Sequence, residues 1–117
     1  MTMGQTSSSS VDMNSKEAKY IGEMIHDHCV VVFSKQYCPY CKMAKDVFND
    51  LQAKYEVVEL DQRDDGAQLQ NILSHMTGAR TVPRVFVRGK CIGGGTETKS
   101  LQKSGKLEPM LRECGAL

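Results

Sequence analysis

The chain has 117 residues, of which fifteen are basic and fourteen acidic, so its formal net charge is +1. A charge this close to zero gives no reason to expect nucleic acid or an anionic membrane as a partner. The length is that of one domain. The longest apolar run, residues 29–33, is far shorter than the roughly 20 residues that cross a bilayer, so neither a transmembrane nor a secretory segment is expected.

The cysteine count is odd, and it bears on the kind of chemistry to expect. The chain has five cysteines, namely Cys29, Cys38, Cys41, Cys91 and Cys114. Without a secretory segment, a secreted disulfide framework is not expected, and thiol chemistry or metal binding takes its place. The same reasoning predicts a cytoplasmic protein, while leaving room for mitochondrial or nuclear forms.

The N-terminal residues differ in composition from the rest. Residues 1–13 include four consecutive serines and almost no apolar side chains, which predicts a disordered tail. Residues 14–117 are then the folded domain. It opens with a helix, because residues 14–17 resemble a capping box and apolar side chains follow at helical spacing, at Ala18, Ile21 and Ile25.

The next elements alternate strand and helix. Residues 29–33 form a β-branched run, which is typical of a strand buried on both faces. A helix over residues 39–54 follows, with one apolar stripe consisting of Met43, Val47, Phe48, Leu51 and Tyr55. A second buried strand is predicted from the apolar residues Val57, Val58 and Leu60.

The second half continues the pattern. The turn at residues 64–66 predicts a helix that Gly78 ends, with apolar residues at Leu69, Ile72, Leu73 and Met76. Strands at residues 82–87 and 91–92 form a hairpin, and one last amphipathic helix carries Leu107, Met110, Leu111 and Cys114. The first two strands should be parallel, because a helix separates them. The prediction is an α/β fold with a four-stranded mixed sheet and helices on both faces.

Cys38 and Cys41 form a C-x2-C pair that allows three interpretations. A four-ligand zinc site needs a second pair of ligands, and neither the other cysteines nor the histidines supply one at suitable spacing. Two buried structural thiols fit poorly with the polar residues around the pair. Redox chemistry is the third interpretation, and the local sequence favours it.

The redox interpretation depends on where Cys38 stands relative to the predicted helix. Proline is preferred at the first helical position, so Pro39 makes Cys38 the N-cap. Free amides and the positive end of the helix dipole then face its sulfur and favour the thiolate, as does the charge of Lys35. Cys41, about one turn further on, is placed to attack a mixed disulfide formed on Cys38. Cys38 is therefore the predicted nucleophile and Cys41 the resolving thiol.

Three separated motifs resemble those of one family. They are CPYC at residues 38–41, TVP at residues 81–83 and GG-x-T at residues 93–96. In order and spacing, residues 15–115 resemble a dithiol glutaredoxin, whose fold is the thioredoxin fold. A general thioredoxin-like reductase is the rival, but that family typically has tryptophan before its cysteine pair, where this chain has Tyr37 and no tryptophan at all.

The resemblance implies a glutathione site. It implies a cis peptide before Pro83, backbone pairing of Val82 with the cysteine of glutathione, and free amides for the γ-glutamyl carboxylate at a helix N-terminus over residues 94–97, including those of Gly94 and Gly95. Glu97 stands where the family commonly has aspartate, which is associated with the amino group of the ligand. The other residues expected to line the site are Lys35, Tyr40, Gln70, Arg80, Thr81 and Thr96.

The resemblance also implies what the protein does. It predicts a monomeric, glutathione-dependent thiol–disulfide oxidoreductase that reduces protein–glutathione mixed disulfides and some protein disulfides. The alternative is a dimer bridged by a [2Fe–2S] cluster on Cys38 and glutathione, as in some members of the branch. Pro39 argues against it, because those members typically have a small residue there. Cys29 and Cys114 resemble a second pair in the vertebrate mitochondrial-type branch, either as a stabilising disulfide or as two reduced thiols.

Overall fold

The computed structural model describes residues 11–117. Most of the predicted tail therefore lies outside the described residues. Val11, which the sequence assigns to that tail, packs against a core cluster that includes Ile21 and Ile72. Helix α1, Lys16–Asp27, starts after Ser15, whose hydroxyl accepts a hydrogen bond from the backbone N–H of Ala18. A side-chain cap of this kind satisfies one of the unpaired amides of the first turn.

Strand β1, Val30–Ser34, is buried along its whole length, as predicted. Helix α2, Pro39–Asp50, begins at the predicted proline but ends four residues before the predicted end. Two residues after this end, Gln52 has a φ of 57°, which is left-handed and cannot continue a right-handed helix. The apolar stripe thus continues past the helix into the following loop.

Strand β2, Glu56–Glu59, differs from the prediction of a buried strand that includes Leu60. It lies at the edge of the sheet, with Val57 exposed, and Leu60 begins a single 3-10 turn, Leu60–Gln62. Helix α3, Gly66–Thr77, follows and ends at Gly78 in the left-handed conformation, as predicted.

Strands β3, Arg84–Val87, and β4, Lys90–Gly93, form the predicted antiparallel hairpin. After this hairpin the periodicity predicts only the last helix, whereas the resemblance also implies a helix that starts at residues 94–97. Two helices follow, α4, Gly95–Lys103, and α5, Leu107–Glu113, separated by Gly105 at a φ of 77°. Helix α4 has only one buried side chain, that of Thr98, so hydrophobic periodicity gave little sign of it.

The four strands form one sheet in the order β2-β1-β3-β4. Strand β1 pairs in parallel with β2 and antiparallel with β3, which confirms the predicted mixed sheet. Successive residues of β1 alternate between two cores. Val31 and Phe33 pack in the cluster that includes residues of α1 and α3, while Val30 and Val32 pack in the cluster that includes residues of α2 and α5. No helix among residues 11–117 is long and apolar enough to cross a membrane.

Cys29 and Cys114 are joined by a disulfide, with a Cα–Cα distance of 5.8 Å. Cys29 directly precedes β1, and Cys114 directly follows α5. The bond therefore ties the last helix to the central strand, at the end of β1 opposite to Ser34. Among the described residues, the free cysteines are Cys38, Cys41 and Cys91.

Two glycines provide a matched test of packing. A Cβ on Gly66, at the start of α3, would collide with the backbone carbonyl of Leu60, whereas a Cβ on Gly22 in α1 would meet nothing within 4 Å. Gly66→Ala should lower the free energy of unfolding by about 1–3 kcal/mol, because the blocking atoms are backbone. Gly22→Ala should raise it by about 0.5–1 kcal/mol. Urea unfolding of the two variants measures both effects, and equal changes would contradict the packing at Gly66.

Candidate active site

Cys38 occupies the N-cap position of α2, as predicted, with Pro39 as the first helical residue. Its backbone N–H donates to the carbonyl of Lys35 at 3.3 Å, which closes the loop between β1 and the helix. The thiol is half-buried and belongs to neither core cluster. A sulfur at a helix N-terminus lies near the amides that lack partners within the helix, where negative charge is stabilised. The fold thus presents Cys38 at the surface in a position suited to a nucleophile.

Cys41 lies in a different environment, although it is only three residues away. Its side chain is fully buried, and the backbone N–H of Lys35 donates to its Sγ at 3.4 Å. Burial raises the pKa of the Cys41 thiol, and the proximity of Cys38 raises this pKa further, against the lowering effect of the hydrogen bond from the N–H of Lys35. Cys41 therefore holds its proton while Cys38 is available for attack.

The TVP segment reaches the nucleophile across the site. The Val82–Pro83 peptide bond is cis, and the thiol of Cys38 lies 3.7 Å from the carbonyl oxygen of Val82. Pro83 is buried, while Val82 is half-buried and Thr81 exposed. The backbone of Val82 is thus directly beside the sulfur, where the sequence expected it.

Two glycines of the third motif, Gly94 and Gly95, allow the start of α4 to approach the same site. A Cβ on Gly95 would lie 2.5 Å from the carbonyl oxygen of Tyr40, so only glycine allows α4 to approach α2 this closely. A Cβ on Gly94 would lie 3.4 Å from the carbonyl oxygen of Pro83. The cysteine pair, the cis-proline loop and the N-terminus of α4 therefore meet around one site.

The start of α4 differs in one respect from the expected row of free amides. The N–H of Gly94 is already used, because it donates to Oε1 of Glu97 at 2.7 Å. Among residues 11–117, the amides of Gly95 and Thr96 have no acceptor, and they belong to the first turn, whose amides have no partner within the helix. The expectation of a free amide is thus wrong for Gly94, since the carboxylate of Glu97 reaches back to it.

The hydrogen bond from Gly94 lowers the pKa of Glu97, with a smaller contribution from the charge of Arg84. Glu97→Gln should therefore lower stability at neutral pH. The difference from the parent should shrink as the pH falls below about 4.5 and through the lowered pKa of folded Glu97, because protonation then weakens the same contact in the parent. Urea unfolding at several pH values measures it. Glu23→Gln, on the exposed face of α1, is the control, and a difference that stays constant with pH would contradict the account.

Gln70 and Arg80, which the resemblance assigns to the glutathione site, contact other residues of this chain. The side-chain amide of Gln70 donates to the carbonyl of Arg80 at 2.8 Å, and the guanidinium of Arg80 contacts Oδ1 of Asn71. Gln70 and Arg80 are thus adjacent. Lys35 is half-buried beside the cysteines, and Tyr40 is 55% exposed.

Sequence reasoning missed several residues around the site. Tyr37 directly precedes the nucleophile and is 91% exposed. The guanidinium of Arg84, a residue only 9% exposed, lies 3.1 Å from where a Cβ on Gly94 would stand. Asp61 accepts a hydrogen bond at 3.0 Å from the N–H of Gln36, across 25 residues of sequence, and so holds the loop before Cys38. Tyr37 and Arg84 could have been found because each lies directly next to a motif. The sequence around Asp61 contains no such motif.

These features define the class of protein. A partly exposed thiol at a helix N-terminus, a buried thiol one turn behind it and a cis-proline loop beside the first make a dithiol site on a four-stranded sheet. The chemistry that such a pair performs is thiol–disulfide exchange through a mixed disulfide. The chain is thus a thiol–disulfide oxidoreductase with the thioredoxin fold.

Comparisons with known proteins identify the family. Residues 30–92 match the glutaredoxin family model. The chain is 50% identical over 109 residues to mitochondrial glutaredoxin-2 of Pongo abelii, covering 93% of this chain and 68% of that protein. It is 49% identical over 113 residues to that of Bos taurus, covering 96% and 72%. The crystal structure of a buckwheat glutaredoxin–glutathione complex superposes with a TM-score of 0.84 at 44% identity, covering 86% of this chain and 92% of that one.

The chain belongs to the glutaredoxin family. It is therefore an enzyme, a glutathione-dependent thiol–disulfide oxidoreductase, as the sequence predicts. The relatives favour this activity over the iron–sulfur carrier. They are named as mitochondrial, so the predicted cytoplasmic location is not confirmed, whereas a mitochondrial form is in line with their names.

Proposed function

We propose that this enzyme removes glutathione from protein–glutathione mixed disulfides, with Cys38 as the nucleophile and glutathione as the reductant. The observation that carries the proposal is the asymmetry of the pair. Cys38 is accessible at the N-cap of α2, and Cys41 is fully buried with a raised pKa. Cys38 can react with an incoming disulfide, whereas Cys41 stays protonated until a mixed disulfide has formed.

The reaction consists of two exchanges. The thiolate of Cys38 attacks the glutathionyl sulfur, the new bond forms between Cys38 and glutathione, and the protein thiolate leaves and takes up a proton. The thiolate of a second glutathione then attacks the glutathionyl sulfur on Cys38. Oxidised glutathione leaves, and Cys38 returns as a thiolate. Each cycle thus consumes one free glutathione, whose thiolate supplies the electron pair, and the disulfide bond passes from the protein to oxidised glutathione.

Glutathione carries two carboxylates and one amine, and the site offers matching groups. We assign the γ-glutamyl carboxylate to the amides of Gly95 and Thr96, at the positive end of α4. Glu97 keeps one carboxylate oxygen that no described residue contacts, and this oxygen is our candidate for the amine. The backbone of Val82 is the proposed partner of the central cysteine, beside Cys38.

The glycyl carboxylate is assigned to the positive groups at the other side of Cys38. The ammonium of Lys35 forms no ion pair with another described residue, so its charge is available to a ligand. Gln70 and Arg80 lie together and complete this end, and Tyr40 and Thr81 supply exposed walls. The buckwheat protein that was crystallised with glutathione has the same fold at 44% identity, which supports a glutathione site on this chain.

For protein disulfides, Cys41 is the proposed resolving thiol. It attacks the mixed disulfide between Cys38 and the substrate, and the substrate leaves reduced. We further propose that the enzyme works as a monomer on glutathionylated and disulfide-containing proteins. The names of the mammalian relatives support a mitochondrial location beside the cytoplasmic one.

A turnover assay tests the proposal. A glutathionylated peptide is supplied with reduced glutathione as the sole reductant, and release of the peptide thiol is followed with time. The proposal predicts rapid, catalytic release and formation of one oxidised glutathione for each peptide reduced. Release at the uncatalysed rate would overturn it. A brown, dimeric protein without turnover would point to the cluster-bridged carrier instead.

A further inference from the structure

Cys41 must lose its proton before or as it attacks the mixed disulfide on Cys38, because the thiolate is the nucleophile. Its side chain is fully buried, so bulk water cannot take that proton directly. Burial also raises the pKa of this thiol. The resolving step therefore calls for a proton acceptor inside the protein.

One buried acceptor near Cys41 has no partner. Among residues 11–117, Oε1 of Glu59 is the single buried side-chain nitrogen or oxygen atom without a hydrogen bond. The other oxygen of the same carboxylate pairs with the ammonium of Lys45 at 2.5 Å, and the two side chains are only 20% and 22% exposed. A buried polar atom without a hydrogen-bond partner destabilises the folded protein, so the presence of such an atom at Glu59 calls for a functional explanation.

The strand register and α2 bring this carboxylate and the resolving thiol to the same face of the sheet. The backbone N–H of Lys35 donates to Sγ of Cys41, and Ser34, the residue before Lys35, is the register partner of Glu59 on the neighbouring parallel strand. Partners on adjacent strands lie about 5 Å apart, with their side chains on the same face of the sheet. Lys45 lies one helical turn after Cys41 on α2 and therefore shares its face. Cys41, Ser34, Glu59 and Lys45 thus form one largely buried polar cluster, which we call the resolving cluster.

We propose that Glu59 is the proton acceptor of the second half-reaction and that its free oxygen takes the proton of Cys41 through one bridging water. The S–H bond of Cys41 breaks as the Cys38–Cys41 disulfide forms and the bond from Cys38 to the substrate sulfur breaks. The proton passes to Glu59 and then to the departing thiolate, so electrons and protons balance without another reactant. Lys45 pairs with the other oxygen of this carboxylate and balances its charge. The proposal rests on Cys41 being the resolving thiol.

Rapid mixing with oxidised glutathione separates the two steps. Acid-quenched mass spectrometry counts first the Cys38–glutathione adduct and then the Cys38–Cys41 disulfide. Glu59→Gln should leave formation of the adduct unchanged and slow its resolution by about 100-fold, the usual scale for loss of a general base. Lys45→Gln keeps the acceptor and should resolve at nearly the parent rate. Asp46→Asn, in the exposed Lys42–Asp46 pair of the same helix, is the matched control.

Folding and the role of Cys41 are tested separately. The double variant Lys45→Gln with Glu59→Gln has no unpaired charge and should fold, yet it should resolve as slowly as Glu59→Gln. Equal slowing by Lys45→Gln and Glu59→Gln would show a structural role for the ion pair and overturn the proposal, as would a Glu59→Gln rate equal to that of Asp46→Asn. If Cys41→Ser forms the adduct and loses it at the parent rate, the assignment of Cys41 itself fails.

Discussion

Replacing Cys38 with serine should abolish both deglutathionylation and protein disulfide reduction, whereas Cys41→Ser should keep deglutathionylation near the parent rate. A hydroxyl cannot replace the thiolate as the attacking group, and no other free thiol among residues 11–117 occupies a helix N-terminus. Removal of a thiol nucleophile should lower turnover by at least about 1,000-fold, to the uncatalysed rate. Cys41 takes no part in the two exchanges of deglutathionylation, so its loss is tolerated there.

Two substrates show this division of labour. A glutathionylated peptide reports the reaction that needs Cys38 alone, and a peptide with an internal disulfide reports the reaction that needs both thiols. Cys91→Ser is the control, because Cys91 lies on β4 away from the site and should affect neither substrate. Equal losses in the Cys38 and Cys41 variants on the glutathionylated peptide would contradict the assignment.

Removing the Cys29–Cys114 disulfide should cause the largest loss of stability. The bond closes a loop with a sequence separation of 85, for which the chain-entropy account gives about 4–5 kcal/mol as an upper limit. Cys114→Ser should therefore lower the urea midpoint steeply. Turnover should stay intact, because the disulfide and the active site lie at opposite ends of β1. Cys29 precedes this strand and Cys38 follows it, and the five residues of the strand span about 17 Å.

Chemical denaturation and thiol titration check this prediction together. The unfolded, unreduced chain should show three reactive thiols, those of Cys38, Cys41 and Cys91. Strong reductant should bring the midpoint of the parent to that of Cys114→Ser. Cys91→Ser again serves as the control. Five thiols in the unreduced chain, or equal midpoints for the parent and Cys114→Ser without reductant, would favour the alternative of two reduced thiols.

The sequence predicted the fold well where apolar periodicity and chain breakers agree. The β-branched run before Cys38 and Gly78 at the end of α3 both appear in the structure. The errors arose where tertiary context decides. The apolar stripe of α2 continues past its end, because Leu51 and Tyr55 pack on the core from a loop. Helix α4 buries few side chains and so left little periodic signal.

The candidate site was predictable to the extent that its residues lie in motifs. Pro39 alone indicates that Cys38 is an N-cap, and the structure bears this out. The hydrogen bond from Gly94 to Glu97 could have been predicted from the spacing of the two residues. The resemblance instead assigned Glu97 to the amino group of the ligand. The resolving cluster joins Ser34 with Glu59 across two strands, and only the strand register brings such residues together.

The central claim is that Cys38 takes glutathione, and not the protein, from the mixed disulfide. Intact-mass spectrometry of the Cys41→Ser variant tests it directly, after one equivalent of glutathionylated peptide has reacted in the absence of free glutathione. The account predicts that the enzyme gains the mass of one glutathionyl group, located on Cys38, and that the peptide is released as a free thiol. An enzyme that carries the peptide, with glutathione released, would contradict it.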